Sequence, residues 1–263
     1  SRSRAVLKVQ DGCSHKCTYC IVPYTRGASV SRPVQEIIKE ARQLLAAGLR
    51  EIIISGINLH QFGRDLAGDV DFWDLLSILE SELAPDWAGR ARIRLSSLEP
   101  SDLTDKALTT LAKCRMVCPH LHISMQSAST SVLKKMGRGH YGPEQVQSFL
   151  KDLQTVWPLY ALGADILLGF PGESRQDFLK TMDFCNKLPF SYAHVFAYSP
   201  RPNTAAVKIK DQLSPAKTKA RSQELRQLLQ EKKRSFYRTL GAERTLWIIL
   251  ERSVRLRGMS QYY

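Results

Sequence analysis

Long hydrophobic runs are missing from this sequence of 263 residues. No apolar stretch approaches the ~20 residues that a membrane-spanning helix needs, and the opening residues, SRSRAVLKVQDGC, contain no signal-peptide core. Cysteine is scarce as well, and six cysteines spread unevenly over a chain of this length do not suggest a disulfide scaffold. We therefore expect a cytoplasmic protein without a membrane partner.

The composition is that of a folded protein, with 43% hydrophobic and 24% charged residues. The length allows one large core, and a single α/β barrel commonly has this size. The formal net charge of +13 is concentrated late in the chain, because residues 201–258 contain fifteen Lys/Arg against five Asp/Glu. A basic segment of this kind favours a polyanionic partner.

Apolar runs of strand length alternate with helical patterns along the first two hundred residues. REIIISGIN (50–58) is typical of a strand covered on both faces. The alternation predicts strands at 4–10, 50–58, 91–97, 119–126, 161–168 and 192–198, and helices at 32–48, 72–83, 102–113, 130–136, 143–156 and 174–187. These six units predict an α/β fold, a partial six-stranded parallel (βα)6 barrel of the TIM type.

The pattern changes after residue 206, so we expect three segments. A barrel domain occupies 1–206, a long basic helical extension occupies 207–240, and a small β domain begins within 241–263. The stretch RTLWIILERSVRLRG (244–258) carries the new β pattern.

One predicted strand, HLHISMQS (120–127), is polar on one face. Polar side chains alternate there with Leu121, Ile123 and Met125; they are His120, His122, Ser124 and Gln126. His194, Phe196 and Tyr198 alternate similarly on the last strand. Because a packed barrel interior would be apolar, a polar face indicates a cavity for a reactant, with a satisfied internal hydrogen-bond network as the alternative.

Three cysteines lie close together just after the first strand, in DGCSHKCTYC. Cys13, Cys17 and Cys20 have the spacing C-x3-C-x2-C. A structural zinc site with His15 as fourth ligand is one interpretation, but zinc usually draws two ligand pairs from separate segments. The pattern favours a cubane iron–sulfur cluster held by three thiolates, which leaves one iron open to a reactant. Active sites of such barrels lie at the carboxyl ends of the strands, where this loop begins.

The loop, with Tyr19 before the last cysteine, resembles the cluster motif of the radical S-adenosylmethionine (SAM) enzymes. The resemblance implies that a 4Fe–4S cluster binds the amino and carboxylate groups of SAM through its open iron. It also implies reductive cleavage of SAM to a 5′-deoxyadenosyl radical, and a six-strand partial barrel.

The surrounding sequence resembles the methylthiotransferases, and most closely the branch that acts on threonylcarbamoyladenosine in bacterial tRNA. The resemblance rests on GCSHKCTYCIVPYTRG (12–27), SGINLHQFG (55–63), RIRLSSLEP (92–100), HLHISMQSAS (120–129), GADILLGFPGES (163–174) and HVFAYSPRPNTAA (194–206). It implies transfer of a methylthio group to carbon 2 of that adenosine, next to the anticodon. The alternatives are another methylthiotransferase, acting on isopentenyladenosine or a ribosomal protein, and a zinc-stapled RNA-binding module.

Resemblance to the related coproporphyrinogen-type radical SAM barrels implies the contacts with SAM. Arg138 would bind the methionyl carboxylate, because an arginine pairs with a carboxylate through two hydrogen bonds. Glu99 would accept from the ammonium group, while Gln126 and Asp165 would bind the ribose.

Two further residues complete the implied SAM site. Gly56 would let the backbone approach the methionine, and Tyr19 belongs to the cluster motif itself. The sequence departs from the family in having Ser124 where proline is usual, and Ala128 and Asn203 where glycine is usual. These departures concern loop geometry.

The resemblance also implies partners. We expect the tRNA anticodon stem-loop to lie across the barrel mouth and the basic segment, and RTLWIILERSVRLRG to begin an RNA-binding domain of the TRAM type. An external electron donor such as flavodoxin or ferredoxin and a sulfur donor are implied as well. The second cluster of these enzymes belongs to a preceding domain outside these 263 residues. We interpret Cys114, Cys118 and Cys185 as buried reduced thiols rather than its ligands, and expect these residues alone to cleave SAM without methylthiolating tRNA.

Overall fold

A computed structural model describes residues 3–242, 245–251 and 257–263. The strands are β1 (Arg4–Lys8), β2 (Gln10–Asp11), β3 (Val30–Ser31), β4 (Glu51–Ser55), β5 (Arg92–Leu95), β6 (Ser97–Leu98), β7 (His120–Gln126), β8 (Ala161–Leu168), β9 (His194–Ala197), β10 (Ile248–Glu251) and β11 (Arg257–Ser260). The α-helices are α1 (Val22–Arg26), α2 (Val34–Ala46), α3 (Phe72–Trp87), α4 (Asp105–Lys113), α5 (Thr130–Lys135), α6 (Pro143–Val156), α7 (Arg175–Lys187) and α8 (Pro215–Gly241). In the part of the chain that is described, no helix is both long and apolar enough to cross a membrane.

The main strands are parallel and form two adjoining sheets. One sheet has the order β1-β4-β5 and the other β6-β7-β8-β9. Only Ser96 separates β5 from β6, and the Ile93 backbone pairs with Met116 and Cys118 just before β7. The parallel α/β fold is therefore confirmed, while the number of barrel strands stays a prediction.

The helices cover the outside of these sheets. Contacts run in order from α2 to α3, from α3 to α4 and from α4 to α6, and α7 packs on α8. Each helix buries one stripe of apolar side chains; in α2 these are Ile37, Ile38, Ala41 and Leu45. Strand β5 is buried at every residue, and its Arg92 and Arg94 lie against residues near the C-terminus, to whose backbone carbonyls they donate.

Several predicted elements differ from the observed ones. The first predicted strand is interrupted at Val9, where the chain turns to pair β2 with the antiparallel β3. Helix α3 continues to Trp87, because Pro85 lies in its last turn and removes only one backbone donor there. The predicted β structure at 244–258 is present as the antiparallel pair β10 and β11, although Arg244 and residues 252–256 lie outside the described residues. The division into three segments stays a prediction.

A buried charge cluster closes the end of the sheet where the strands begin. Arg92 Nε donates to Glu51 Oε2 (2.5 Å) and Arg94 Nε to Glu51 Oε1 (3.0 Å). The other nitrogens of the two arginines donate to carbonyls of the C-terminal segment, those of Trp247, Met259, Ser260 and Gln261. Burial alone would raise the pKa of Glu51, but hydrogen bonds and charge from the two arginines hold it below the ordinary value.

We predict that Glu51→Gln destabilises the protein by about 3–5 kcal/mol, because two buried guanidinium groups lose their counter-charge. Chemical denaturation measures the loss. Glu82→Gln is the matched control, since it removes a surface pair with Arg42 and should cost at most about 1 kcal/mol.

The same cluster predicts a pH dependence. The pKa of Glu51 is lower in the folded state, so its contribution is complete above the unfolded-state pKa of about 4.3 and is lost as the pH falls. Glu51→Gln should therefore lose less stability than the parent protein on acidification. Equal losses would contradict this account of the cluster.

Candidate active site

The cysteine loop follows β2 at the carboxyl end of the first strand. It turns at Gly12, whose φ of +69° lies in the left-handed region, and a Cβ there would lie 2.0 Å from the carbonyl oxygen of Ala28. Cys20 N donates to Cys17 O (3.0 Å), and Thr18 N donates to Met136 O (2.9 Å) beyond α5. These bonds fix the loop against the end of α5.

Polar donors surround the sulfur atoms. The Cys13 sulfur accepts from Asn58 Nδ2 (3.9 Å) and Gln61 Nε2 (3.8 Å), and the Cys17 sulfur accepts from Arg138 Nη1 (3.7 Å). All three cysteines are free thiols, Cys13 buried and the other two half-buried. Donors of this kind stabilise thiolates and help to set the potential of an iron–sulfur cluster.

The spacing of the sulfurs indicates which metal group the loop fits. A single zinc ion with bonds of about 2.3 Å places its sulfur ligands about 3.8 Å apart. Among the described residues, the groups of three ligand atoms within 4.8 Å of one another do not include these cysteines. His15, the proposed fourth zinc ligand, lies instead with Nδ1 3.3 Å from Glu99 Oε2. The three cysteines therefore do not form a compact site for one ion, whereas a cluster, in which each thiolate binds a different iron, does not require their sulfurs to lie so close together.

The thiols of Cys17 and Cys20 would have to lose their protons before they could hold a cluster. Burial raises the pKa of Cys17 against the opposing charge of Arg138, and burial also raises the pKa of Cys20. A cluster would be held by the thiolate forms of these residues, so its binding would release the two protons.

Glu99 connects the cysteine loop, through His15, to the segment of Asn58 and to the segment of Arg138 and His140. Only 4% of Glu99 is exposed. Its Oε2 accepts from Asn58 Nδ2 (2.9 Å), and its Oε1 accepts from His140 Nε2 (2.6 Å) and lies 3.5 Å from Arg138 Nη2. Burial would raise the pKa of Glu99, but the charge of Arg138 and the hydrogen bond from His140 hold it below the ordinary value. Glu99 is therefore a buried anion at neutral pH.

Arg138 lies between the cysteine loop and Glu99. It is 6% exposed, Nε donates to the Tyr141 hydroxyl (2.8 Å), and Nη2 donates to Ser124 O (3.1 Å). Its guanidinium therefore reaches one cysteine sulfur, one carboxylate and the end of β7. The structure places the predicted carboxylate-binding residue beside the cysteine loop.

Gln126 has an unusual backbone conformation. Its φ is +63°, and the pairing of β7 with β8 shifts register between Ile123 and Gln126. A left-handed residue without a glycine's freedom is strained, and such strain is concentrated at functional sites. Asn203 has a φ of +66°, and asparagine tolerates this region better than most residues, which explains how it replaces the family's glycine.

The contacts described for the other predicted site residues, Asp165, Gly56 and Tyr19, are with residues other than the three cysteines, Glu99 and Arg138. Asp165 Oδ1 lies 3.1 Å from His122 Nε2 on the neighbouring strand. A Cβ at Gly56 would lie 2.9 Å from Gln10 Oε1, the acceptor for Asn58 N, so a larger residue there would have to displace the Gln10 side chain. The Tyr19 ring packs edge-on against Phe170 at 6.3 Å. Their roles toward SAM stay predictions.

Sequence reasoning missed several residues of the site. Asn58, Gln61, His140 and Tyr141 all contact a predicted site residue. Asn58 and Gln61 lie in the string SGINLHQFG and His140 lies two residues after Arg138, so proximity to the motifs was the available signal.

The other cysteines are free thiols away from the loop. Cys118 and Cys185 are buried and Cys114 is half-buried. Burial raises the pKa of Cys114 and of Cys185 to about 12 and that of Cys118 to about 11. They remain protonated at neutral pH, as inert buried thiols do.

Comparison with known proteins defines the class. The sequence model of the Radical SAM superfamily matches residues 7–185. The chain has the fold of coproporphyrinogen III oxidase from Escherichia coli (TM-score 0.61, 18% identity, 88% of this chain and 53% of that chain). It also matches the radical SAM methyltransferase TsrM from Kitasatospora setae (TM-score 0.63, 16% identity, 77% and 35%). The chain belongs to the radical SAM superfamily, whose cofactors are a 4Fe–4S cluster and SAM.

The curated proteins that this chain resembles are enzymes that modify adenosines in tRNA. The threonylcarbamoyladenosine tRNA methylthiotransferase of Bacillus subtilis (strain 168) is 41% identical over 81% of this chain and 46% of its own length. The enzyme of the same name from Thermotoga maritima is 34% identical over 100% of this chain and 59% of its own length. The tRNA-2-methylthio-N(6)-dimethylallyladenosine synthase of Zymomonas mobilis is 39% identical over 93% of this chain and 54% of its own length. Over most of its length the chain is similar to these tRNA-modifying relatives, and it spans about half of their length.

We predict that Cys13→Ala, Cys17→Ala and Cys20→Ala each prevent assembly of the cluster, because three thiolates are its only protein ligands. After anaerobic reconstitution, the parent chain should contain about 4 irons and the variants far fewer. Iron, sulfide and zinc assays measure this. Cys114→Ala is the matched control and should retain its iron, whereas a Cys17→Ala protein with full iron would contradict the assignment.

Proposed function

We propose that the protein transfers a methylthio group to carbon 2 of threonylcarbamoyl-modified adenosine next to the tRNA anticodon. The observation that carries this proposal is the position of Arg138, within hydrogen-bonding distance of the Cys17 sulfur and beside the Glu99 carboxylate. An arginine between a three-cysteine loop and a buried anion suits a zwitterionic ligand that also binds the open iron.

Different residues bind the two cofactors, the cluster and SAM. Cys13, Cys17 and Cys20 hold the cluster, Arg138 binds the carboxylate of SAM, and Glu99 accepts from its ammonium group. When bound, the cluster and SAM supply a 5′-deoxyadenosyl radical that removes hydrogen from an unactivated carbon.

The ribose of SAM lies with Gln126 and Asp165 in this proposal. Asn58 and His140 keep Glu99 oriented through their hydrogen bonds, so the carboxylate is in place before SAM arrives.

The polar lining of β7, β8 and β9 supports the threonylcarbamoyl substrate. His122 and Asp165 are paired there, and His194 lies beside them with its ring 5.4 Å from that of His122. A threonylcarbamoyl group brings a carboxylate and a hydroxyl with which such side chains can form hydrogen bonds, whereas a dimethylallyl group is a hydrocarbon and can form none. The identity to the Bacillus subtilis relative points the same way.

The partners follow from this reaction. The basic helix α8 carries exposed Lys217, Lys219, Lys233, Arg234 and Arg238, and a cationic helix of this kind neutralises RNA phosphates. An electron donor such as flavodoxin or ferredoxin and a separate sulfur donor are required by the chemistry.

We predict that Arg138→Ala weakens SAM binding by about 1.5–3 kcal/mol, the typical worth of hydrogen bonds to a charged group. Equilibrium dialysis with the cluster-loaded chain measures this. The cluster absorbance and iron content should be unchanged.

Arg175→Ala is the control for Arg138→Ala, because its guanidinium is paired with Glu224 at the surface. It should bind SAM like the parent protein. Unchanged affinity in Arg138→Ala would remove this arginine from the site.

The proposed function is tested in a bacterium that lacks its own threonylcarbamoyladenosine methylthiotransferase. The gene encoding this chain is expressed at its full natural length, and digested tRNA is analysed by mass spectrometry. We expect 2-methylthio-threonylcarbamoyladenosine, with none in the Cys17→Ala variant. A methylthiolated dimethylallyladenosine, or no methylthiolated nucleoside, would contradict the proposed substrate.

A further inference from the structure

A cavity lies beside the beginning of strand β9, between that strand and helix α8. Its volume is about 490 Å³, which is within the range of sites that bind small ligands. Aromatic side chains from two parts of the chain line it, namely Tyr192 just before β9, and Phe236 and Tyr237 on α8. Such rings give a ligand flat surfaces on which a planar group can stack.

The same cavity is positively charged. Arg226 and Lys233 line it from α8, and among the described residues that line it there is no aspartate or glutamate. Arg226 Nη2 donates to Val195 O (2.7 Å), which holds the guanidinium beside β9. Positive charge that is not balanced within a concave site attracts an anionic ligand.

A cation and an aromatic ring lie side by side on α8. Lys233 Nζ is 5.5 Å from the centre of the Tyr237 ring, and both side chains are exposed. This combination matches a nucleotide, because a base stacks on an aromatic side chain while the phosphate next to it pairs with a cation. A phosphate alone would need only the cations, and an apolar ligand would need only the rings.

A second cavity of similar size has a different lining. It has a volume of about 450 Å³, lies beside His60, and is lined by Asp69, Asp71 and Asp102. Carboxylates in a ligand site disfavour a phosphate because like charges repel. Of these two cavities, the one between β9 and α8 is therefore the one suited to a nucleotide.

We propose that the cavity between β9 and α8 binds one unpaired nucleotide of an RNA, with the base against Tyr237 and the phosphate between Arg226 and Lys233. RNA is favoured over a free nucleotide, because exposed cations continue along α8 beyond the cavity, at Arg234 and Arg238, and can pair with further phosphates.

The position of the cavity indicates which nucleotide it takes. It lies at the beginning of β9, whereas the cysteine loop follows the carboxyl end of the first strand. The bound nucleotide is therefore not the one that reacts, and the cavity serves to hold the RNA rather than to transform it. That this RNA is a tRNA rests on the proposed function.

The probe is a fluorescently labelled anticodon stem-loop RNA, and its binding to the protein of full natural length is followed by fluorescence anisotropy at several salt concentrations. Tyr237→Ala should weaken binding about 5–150-fold, the effect of losing one stacked base, without changing the salt dependence. Tyr237→Phe keeps the ring and should bind like the parent protein. Because Tyr237 is 53% exposed, neither change should affect folding, which circular dichroism checks.

Lys233→Ala should weaken binding and also reduce the slope of log affinity against log salt by about 1, because one phosphate contact is lost. Lys39→Ala is the matched control, since it removes an exposed cation from α2, outside the cavity. It should leave both the affinity and the slope unchanged. Unchanged RNA affinity in both Tyr237→Ala and Lys233→Ala would overturn the proposal.

Photo-cross-linking locates the contact directly. The same RNA is made with 5-iodouridine at one loop position at a time, and the cross-linked peptides are identified by mass spectrometry. We expect at least one position to cross-link to Tyr237. Cross-links confined to residues outside the cavity would overturn the assignment.

Adenosine 5′-monophosphate distinguishes a free nucleotide from RNA as the ligand. If it binds saturably and loses this binding in Tyr237→Ala, while the RNA affinity of that variant is unchanged, the RNA assignment is overturned. Failure of the cavity to bind RNA does not decide which methylthiolated nucleoside is formed, so the two proposals can fail independently.

Discussion

The buried carboxylate of Glu99 is the interaction on which the candidate site depends. It draws hydrogen bonds or charge from Asn58 after β4, His15 in the cysteine loop, and Arg138 and His140 after α5. A buried charge is tolerated only when its partners are complete, and breaking such a set is costly. The same contacts that stabilise the anion therefore place the cysteine loop and the arginine at one end of the sheet.

Polar networks occupy the interior at two other levels. One network, formed by Glu51 and its two arginines, lies where the strands begin. The other, formed by the histidines of β7 and β9 with Tyr192 and Asp165, lies between the Glu51 cluster and the Glu99 site. Hydrogen-bonded networks of this kind favour one arrangement of the strands, because an alternative arrangement would leave further buried polar groups without a partner. Within the described residues, His120 Nδ1 is the atom of this network that is buried without a hydrogen-bond partner. These networks place charged and hydrogen-bonding side chains among the apolar residues of the core, which suits a reactant with charged and hydrogen-bonding groups.

Local patterns predicted much of the fold, and tertiary contacts explain the rest. Helix α6 (143–156) and strand β8 (161–168) have the predicted bounds, because Pro143 begins the helix and the strand is an apolar run interrupted only by Asp165. The family motif predicted the cysteine loop. The partners of Glu99 could not be predicted, since Asn58 and His140 each lie 41 residues away. Neither could the left-handed Gln126, which follows from the register shift between β7 and β8.

The central claim is that the cysteine loop and the Glu99–Arg138 pair together form a site that opens SAM. The most direct measurement is product analysis of the reduced, cluster-loaded 263-residue chain incubated with SAM under anaerobic conditions. The account predicts 5′-deoxyadenosine and methionine in equal amounts, and neither product from protein loaded with zinc instead of iron. A chain with a full complement of iron that binds SAM and releases no 5′-deoxyadenosine would contradict it.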